Sequence, residues 1–438
     1  MLKTPEQIRE LQRKLYQKAK QEPKFRFYLL YDKVYRLDIL GHAYDLVRAN
    51  KGAAGVDGQT FECIEETERG AQEYLENLAQ ELRAKMYNPM PVRRVYIPKA
   101  DGGKRPLGIP TIKDRIVQMA TKLVIEPIFE ADFQENSYGF RPKRNAHQAM
   151  DDIANHLWAG RTQVIDADIS KYFDSIPHDK LLKEVAKRIV DKNILRLIKM
   201  WLTAPIVEEE DGTKRYKGNN KGTPQGGVIS PLLANIYLNV LDTLWKTKRI
   251  QEEYGARLIR YADDFVVLCR GNTERVRQEI ETVLAHLGLS LNELKTKMVD
   301  AREESFDFLG FTVKLQRSPR TRSIFPLVTP SRKAIQKVKT EIKRLTREAY
   351  LIVPLPHVIK NLNNVARGWE NYFRYRNCSR QLWNVKRHLE GRMRRHLMRK
   401  RGKSGWGYQV YSSDYLYKLG LYKMTTSAPW KNTAKASG

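Results

Sequence analysis

Two adjacent aspartates interrupt an otherwise apolar stretch, "RLIRYADDFVVLCR", running from Arg257 to Arg270. A strand interior excludes Asp, because its charge finds no partner there. The stretch is therefore confined to two strands joined by a tight turn, with Asp263 and Asp264 carried in the turn. A plain hairpin turn, in which Asp is common, explains the pair equally well at this stage.

A second stretch bears on that choice. In "VIDADIS", alternation places Asp166 and Asp168 on one strand face, opposite Ile165, Ala167 and Ile169. Carboxylates presented at strand ends by apolar scaffolding repel one another unless a hard divalent cation relieves them, and Mg²⁺ favours few carboxylates plus substrate phosphates. Two such ions serve phosphoryl transfer by activating the attacking oxygen and stabilising the leaving one. Either Asp166 or Asp168 is open to the alternative of capping a neighbouring helix.

The charge balance favours a polyanion. The formal net charge is +29, from 79 Lys and Arg against 50 Asp and Glu. So large a surplus repels itself, and a polyanion partner is the simplest reason to keep it, with an anionic membrane surface as the other candidate. No apolar run reaches the roughly 18 residues of a membrane span, and Met1 opens no signal-peptide pattern. Three distant cysteines, Cys63, Cys269 and Cys378, form no CxxC pair. That fits a reducing compartment and predicts no zinc. No Walker-type glycine loop is present. At 438 residues, of which 41% are hydrophobic, the chain has room for two or three domains with real cores.

Along the chain, residues 1–50 read as polar, basic helices and Asn50–Gly58 as a glycine-rich loop. Val92–Pro110 reads as strand, turn and strand, with Asp101-Gly102-Gly103 supplying the turn. Residues 113–130, 143–158 and 178–202 read as helical, and 207–222 as a polar hairpin. "GTPQGGVISPLLANIYLNVLDTLW" begins as a loop and becomes an apolar helix. A helix over Thr273–Leu287 and short strands follow. The Pro/Ser/Arg-rich Gln316–Ser331 is expected as a connector and domain boundary, with helices beyond it and a loose end over "TTSAPWKNTAKASG".

Taken together, these blocks resemble the reverse transcriptases encoded by group II introns. Tyr261-Ala262-Asp263-Asp264 resembles the family's YxDD box, and "ADISKYFDSI" its first catalytic-aspartate motif. "GTPQGGVISPLLANIYLN", "IPKADGGKRPLGIPTIKDRIVQ", "ENSYGFRPKRNAHQA", "LSLNELKTKMV" and "FLGF" are similar to its other blocks, in order from about residue 40 onward. The resemblance selects Asp168 over Asp166. It implies Asp168, Asp263 and Asp264 as catalytic residues and metal ligands, with the Ile169 backbone beside the metal. Two Mg²⁺ ions are implied, with Mn²⁺ as a substitute. Lys99 and Arg105 match cations that clamp the triphosphate, Phe173 the gate that rejects a 2′-hydroxyl, and Gln225 and Gly226 contacts to the nucleotide. Lys295 matches a cation near the leaving group, although Leu294 separates it from Glu293 and loosens the pattern. Arg115, Arg141 and Arg144 are expected at the template backbone.

"LNNVARGWENYFRYRNCSRQLW" (Leu362–Trp383) is similar to the family's maturase, or thumb, segment. From Asn371 to Lys403 there are twelve Lys and Arg against one acidic residue, Glu390. Cations neutralise phosphates and aromatics stack on bases, so Arg374, Arg376, Arg392, Arg394 and Arg395 are expected to contact RNA. Trp369 and Phe373 share helical spacing and are expected to be buried. Longer members end in an HNH nuclease with paired cysteines. Ending at Gly438 without a CxxC, this chain resembles the short form without it.

The implied fold is α+β, a right hand. Fingers and an antiparallel palm sheet are expected over residues 1–315, with an N-terminal extension over 1–40. A helical thumb is expected over 316–405 and a short basic DNA-binding tail over 406–438. The implied function is an RNA-directed DNA polymerase that also binds its intron RNA to assist splicing and mobility. Its partners are intron RNA, primed RNA template, target DNA and deoxynucleoside triphosphates, in the bacterial cytoplasm. A non-catalytic splicing factor predicts erosion of the aspartates, which are all present. A domesticated enzyme of defence or repair has the same site. Oligomeric state and the role of residues 1–40 stay open.

Overall fold

A computed structural model describes residues 2–66, 69–98, 102–210 and 213–429. Packing divides the chain into two compact units. The first comprises Met1–Ala149, Ala167–Val267 and Asn272–Thr296, and the second Met150–Asp166, Leu268–Gly271 and Lys297–Gly438. The strands are β1 (Val92–Pro98), β2 (Lys104–Ile109), β3 (Gln163–Ala167), β4 (Ile206–Glu210), β5 (Thr213–Lys217), β6 (Arg257–Tyr261), β7 (Asp264–Cys269), β8 (Lys297–Asp300), β9 (Phe306–Phe308), β10 (Phe311–Arg317) and β11 (Ile324–Pro330). They form sheets in the orders β2-β1-β4-β5, β6-β7-β3-β8 and β11-β10-β9. Among the described residues, no helix is long and apolar enough to cross a membrane.

The first unit is built around the helix Ile112–Glu130, which is buried on nearly every side. Thr111 starts this helix by accepting the Asp114 N–H on its hydroxyl. The N-terminal helix Glu6–Gln21 presents Ile8, Leu15 and Ala19 as an apolar stripe and packs on it. The Gln12 side chain donates to the Leu123 carbonyl at 3.0 Å, and Lys20 to that of Ala131 at 3.0 Å. The buried Arg188 guanidinium donates to the carbonyls of Ala19, Glu22 and Phe25. Asp191 accepts the backbone N–H groups of Leu30 and Tyr31. Residues 8–31 thus pack against their own chain.

In the same unit, β1 pairs antiparallel with β2, Arg93 opposite Ile109 through Pro98 opposite Lys104. β4 joins β1 in parallel and β5 closes the edge. The turn expected at Asp101-Gly102-Gly103 lies partly outside the described residues, and Gly102 has the left-handed φ of 82° such a turn needs. The apolar helix Ser230–Thr247 is buried along most of its length, in keeping with its run of Leu, Ala, Ile and Tyr.

In the second unit, Gln316–Ser331 is not a connector. Its residues complete β10 and form β11, paired from Phe311 opposite Pro330 to Arg317 opposite Ile324. Pro326, Val328 and Pro330 are buried while the residues between them are more open, so a two-residue period hides in a linker-like composition. β11 lies at the edge of its sheet, the position where proline's missing N–H is tolerated. Ser331 then caps the helix Arg332–Leu345. The helices Leu355–Phe373 and Ser379–Lys400 bury Val358, Leu362, Trp369, Leu382, Val385 and Met393 in one apolar core, with Phe373 packed half-buried against it.

The expected tail is also different. Tyr411, Leu416, Leu421, Met424 and Ala428 are buried in this core. The Thr425 N–H donates to Glu370, and that of Ala428 to Ser379 Oγ at 3.0 Å. Of the segment expected to be loose, the described residues 425–429 are part of the fold, held by these two backbone bonds and by the burial of Ala428. Residues 430–438 lie outside the described part.

Candidate active site

Strands β6 and β7 carry mostly buried side chains, and their carboxylates are confined to the junction. Ala262 and Asp263 make the turn, and Asp264 is the exposed first residue of β7 rather than a turn residue. Ala262, not an aspartate, takes the left-handed φ of 59°. For a residue with a Cβ that conformation costs about 1–2 kcal/mol, so the surroundings must hold it. The Arg260 N–H donates to the Asn136 carbonyl at 2.8 Å, and the Tyr138 N–H to the Arg260 carbonyl at 2.8 Å. Gly139 lies against the turn so closely that a Cβ there would stand 2.3 Å from the Ala262 nitrogen. The glycine of "YGFRP" is therefore a requirement of the turn.

Asp168 follows the end of β3. Its carbonyl accepts the Asn292 N–H at 2.7 Å, and its carboxylate Oδ2 receives Asn292 Nδ2 at 3.1 Å and Lys295 Nζ at 3.3 Å. Asp263 lies close enough to feel it. Burial pushes the Asp263 carboxyl above the usual range, and the Asp168 charge adds to this. Its own backbone hydrogen bond, Arg105 and Arg260 partly offset the rise. Asp166, by contrast, stands within the β3–β8 ladder opposite Lys297. Among the described residues no group of three or more His, Cys, Asp or Glu side chains stands ready to hold an ion. The interacting pair is Asp168 with Asp263. Mg²⁺ is held by one or two carboxylates completed by substrate phosphates, and this hard-oxygen pair, with the Asp263 charge made harder to hold, fits that ion.

The residues expected at the nucleotide converge through backbone contacts. Arg105 Nε donates to Gln225 Oε1 at 2.9 Å, and the Gly108 N–H to the Gln225 carbonyl at 2.6 Å. Gly226 has φ 122°, and a Cβ on it would come within 2.3 Å of the Gly108 carbonyl oxygen. The pair Gly108 and Gly226 lets strand β2 touch the loop, which brings Arg105 to Gln225. Phe173 is half-buried, in edge contact with Tyr172. Its carbonyl accepts the Thr223 N–H at 2.7 Å. Ile169 bridges Leu291 with a buried side chain. Lys99 lies outside the described residues.

Several arginines expected at nucleic acid are instead held inside the protein. Arg115 is buried, and its Nη2 donates to the Ala53 carbonyl at 2.7 Å. Arg141 is buried against Glu130, with Nη2 to Oε1 at 2.7 Å, and also donates to the Ser137 carbonyl. Arg392 donates to Thr346 Oγ1 at 3.1 Å. Arg394, only 6% exposed, reaches the Tyr411 carbonyl at 2.8 Å and Ser413 Oγ at 2.7 Å. These four are corrected as nucleic-acid contacts. Their long stems bury well and their forked donors suit backbone carbonyls, which composition does not reveal. Arg374 donates to the Ser427 carbonyl at 3.3 Å, Arg376 pairs with Asp151 at 2.6 Å, and Arg144 lies over the Tyr138 ring.

A cation–aromatic surface does remain on the helix Ser379–Lys400. Arg395 lies over the Trp406 ring at 4.9 Å, and Arg387 over Trp383 at 5.3 Å, with Trp383 53% exposed. Sequence reasoning did not single out Arg387 or Trp406. Nor did it single out Arg260, Asp242 and Asn235, a buried polar set beneath the turn. There the readable signal was Asn235 and Asp242, seven apart on one face of a largely apolar helix.

Residues 97–313 match the reverse transcriptase (RNA-dependent DNA polymerase) family, and residues 335–412 the group II intron maturase-specific domain. The chain is 37% identical over 348 residues to Protein YkfC of Escherichia coli, covering 71% of this chain and 89% of that one. It is 30% identical over 355 residues to the group II intron-encoded protein LtrA of Lactococcus lactis, covering 67% of this chain and 57% of that one. An uncharacterized 91 kDa protein in a cob intron of Schizosaccharomyces pombe is 27% identical over 405 residues, covering 76% and 49% respectively. The matched regions thus span most of the bacterial YkfC relative and about half of the other two.

Proposed function

Because this chain belongs to the reverse transcriptase–maturase family of group II introns, we propose that it extends a 3′-hydroxyl primer along an RNA template and binds intron RNA to assist splicing and mobility. The observation that carries the polymerase reading is the Asp168–Asp263 pair, whose charges stand close enough to raise the Asp263 carboxyl.

Two Mg²⁺ ions, with Mn²⁺ as a substitute, would be held by Asp168 and Asp263, with Asp264 and the Ile169 backbone alongside. When bound, they supply the positive charge that activates the attacking hydroxyl and stabilises the leaving pyrophosphate. The chain's own residues bind and orient the nucleotide. Arg105, with Lys99, clamps the triphosphate, and Gln225 and Gly226 meet the sugar and base. Phe173, fastened by its carbonyl to Thr223, blocks a 2′-hydroxyl. Lys295, which pairs with Asp168 at 3.3 Å, stands near the leaving group.

In chain order, we assign residues 1–315 to polymerisation, 316–405 to the maturase role and 406–438 to target-DNA contact. Arg144, Arg374, Arg376 and Arg395 remain our candidates for RNA contact. The setting we assign is the bacterial cytoplasm, in association with nucleic acid. Primer extension on an RNA template with Mg²⁺ and deoxynucleoside triphosphates tests the reading. Extension is expected in the wild type and absent in an Asp263→Ala, Asp264→Ala double variant. Full activity in that variant would sink the assignment.

A further inference from the structure

Beneath the turn lies a buried guanidinium that none of the proposed chemistry uses. Arg260 is 0% exposed, and so are few arginines anywhere, because an isolated buried charge is unfavourable. It is fully engaged. Nε and Nη2 grip the Asp242 carboxylate, Nη2 to Oδ2 at 2.5 Å, and Asp242 is 1% exposed. Nη1 turns the other way and donates to Asn235 Oδ1 at 3.0 Å and to the Ala262 carbonyl at 2.9 Å. Asn235 Nδ2 donates to the Gly139 carbonyl at 2.8 Å, and Asn136 Nδ2 to Asp242 Oδ1 at 2.8 Å.

Every strand of this network ends at the same place. Ala262 is the left-handed residue of the turn and immediately precedes Asp263. Gly139 is the glycine pressed against the Ala262 nitrogen, and Asn136 is the carbonyl partner of the Arg260 N–H. The helix Ser230–Thr247 contributes Asn235 and Asp242 seven residues apart, about two turns, so both face Arg260. A buried ion pair is weak evidence for stability, since well-packed apolar residues often serve as well or better. What an apolar pair lacks is a donor to fix the Ala262 carbonyl. A lysine lacks it too, because its single ammonium head cannot span Asp242 and Ala262 as a forked guanidinium does.

We infer that Arg260, braced by Asp242 and Asn235, is a positioning residue that fixes the Ala262–Asp263 turn and so sets the Asp263 carboxylate for metal binding. The inference rests on Asp263 being a metal ligand. Besides the direct charge effect on Asp263, it acts through geometry, and it extends the site's structural support to the helix Ser230–Thr247.

The test uses the full chain with Arg260→Met combined with Asp242→Asn, which removes both buried charges and keeps an acceptor for Asn136. Melting temperature, kcat, the KM for deoxynucleotide and the Mn²⁺ dissociation constant by electron paramagnetic resonance, without turnover, are measured together. The melting temperature is expected to stay close to wild type. kcat should fall about a hundredfold, the usual effect of misplacing a reacting group by about 1 Å, while KM moves by less than about threefold. The Mn²⁺ dissociation constant should rise about tenfold, in line with the loss of a partner that orients a ligand. A folded variant with wild-type kcat and Mn²⁺ affinity overturns the inference. Should the double variant not fold, Asn235→Ala leaves the ion pair intact and removes one Nη1 acceptor and the Gly139 donor. It is expected to weaken Mn²⁺ binding severalfold, and unchanged binding overturns the inference. If wild-type protein fails to extend a primer, the polymerase reading falls, whereas the Mn²⁺ comparison still judges the positioning.

Discussion

In sequence, the first unit's aspartates and the second unit's arginines are both simply dense charge, yet the structure treats them in opposite ways. Asp263 is brought toward Asp168 and partly buried, so its negative charge is made harder to hold. Arg392 and Arg394 are folded against Thr346, Tyr411 and Ser413, so their positive charge is absorbed. Charge left uncompensated by the protein marks a place where a ligand must supply the counter-charge. Charge that meets a full set of carbonyls and hydroxyls is part of the packing. The comparison separates the two without reference to how many charged residues a segment contains.

The largest effect should come from Asp263→Ala. Primer extension is expected to fall at least about a thousandfold, equivalent to ~4 kcal/mol in the barrier. The melting temperature should hold or rise, because a repulsion is removed. The reverse split is expected in the second unit. Arg394→Ala removes the cation paired with Glu390 at 3.5 Å and the donor to the Tyr411 carbonyl, and should lower unfolding free energy by about 3 kcal/mol, as for other broken buried pairs, read by denaturant titration. An intermediate effect belongs to Gly139→Ala. Its methyl would sit 2.3 Å from the Ala262 nitrogen, so the turn must shift, and kcat should drop about ten- to a hundredfold with far-ultraviolet dichroism unchanged.

Smaller still is the effect of Arg387→Ala in the exposed cation–aromatic surface. RNA affinity should fall a few-fold, and the slope of log affinity against log salt should lessen by about one, with no change in melting temperature. The smallest effect concerns pH. Burial holds the Glu126 carboxyl above its usual range, with Lys122 partly offsetting this. A raised acid contributes stability below the ordinary carboxylate range and loses it as pH rises through the folded-state value. The melting temperature of Glu126→Gln relative to wild type should therefore increase as pH climbs out of the carboxylate range, and a difference independent of pH would contradict this sign.

The aspartate hairpin was legible because an Asp without a partner is disfavoured inside a buried apolar strand, which pins Asp263 and Asp264 to its end. Which of them is in the turn was not legible, since that depends on Ala262 accepting a left-handed φ with support from Gly139 and Arg260. Asp168 needed the family resemblance to be chosen over Asp166. The structure separates them by register, with Asp166 inside a ladder and Asp168 just past its strand. The Arg105–Gln225 contact was beyond local reading, because it arises from the backbone approach of Gly108 to Gly226. The hairpin of β10 and β11 was missed because Pro, Ser and Arg dominated its composition while a two-residue period lay beneath. The buried arginines were misread for the complementary reason. Their spacing in charged helices says nothing about the carbonyls that other segments bring to them.

The central claim is that Asp168 and Asp263 together hold the ions of the polymerase site. Calorimetric titration of Mn²⁺ into the full chain, bound to a DNA-primed RNA template and a non-hydrolysable deoxynucleotide, tests it most directly. Two ions per protein are expected in the wild type, with at least one lost in Asp168→Asn and in Asp263→Asn. Unchanged stoichiometry and affinity in both variants would contradict the account.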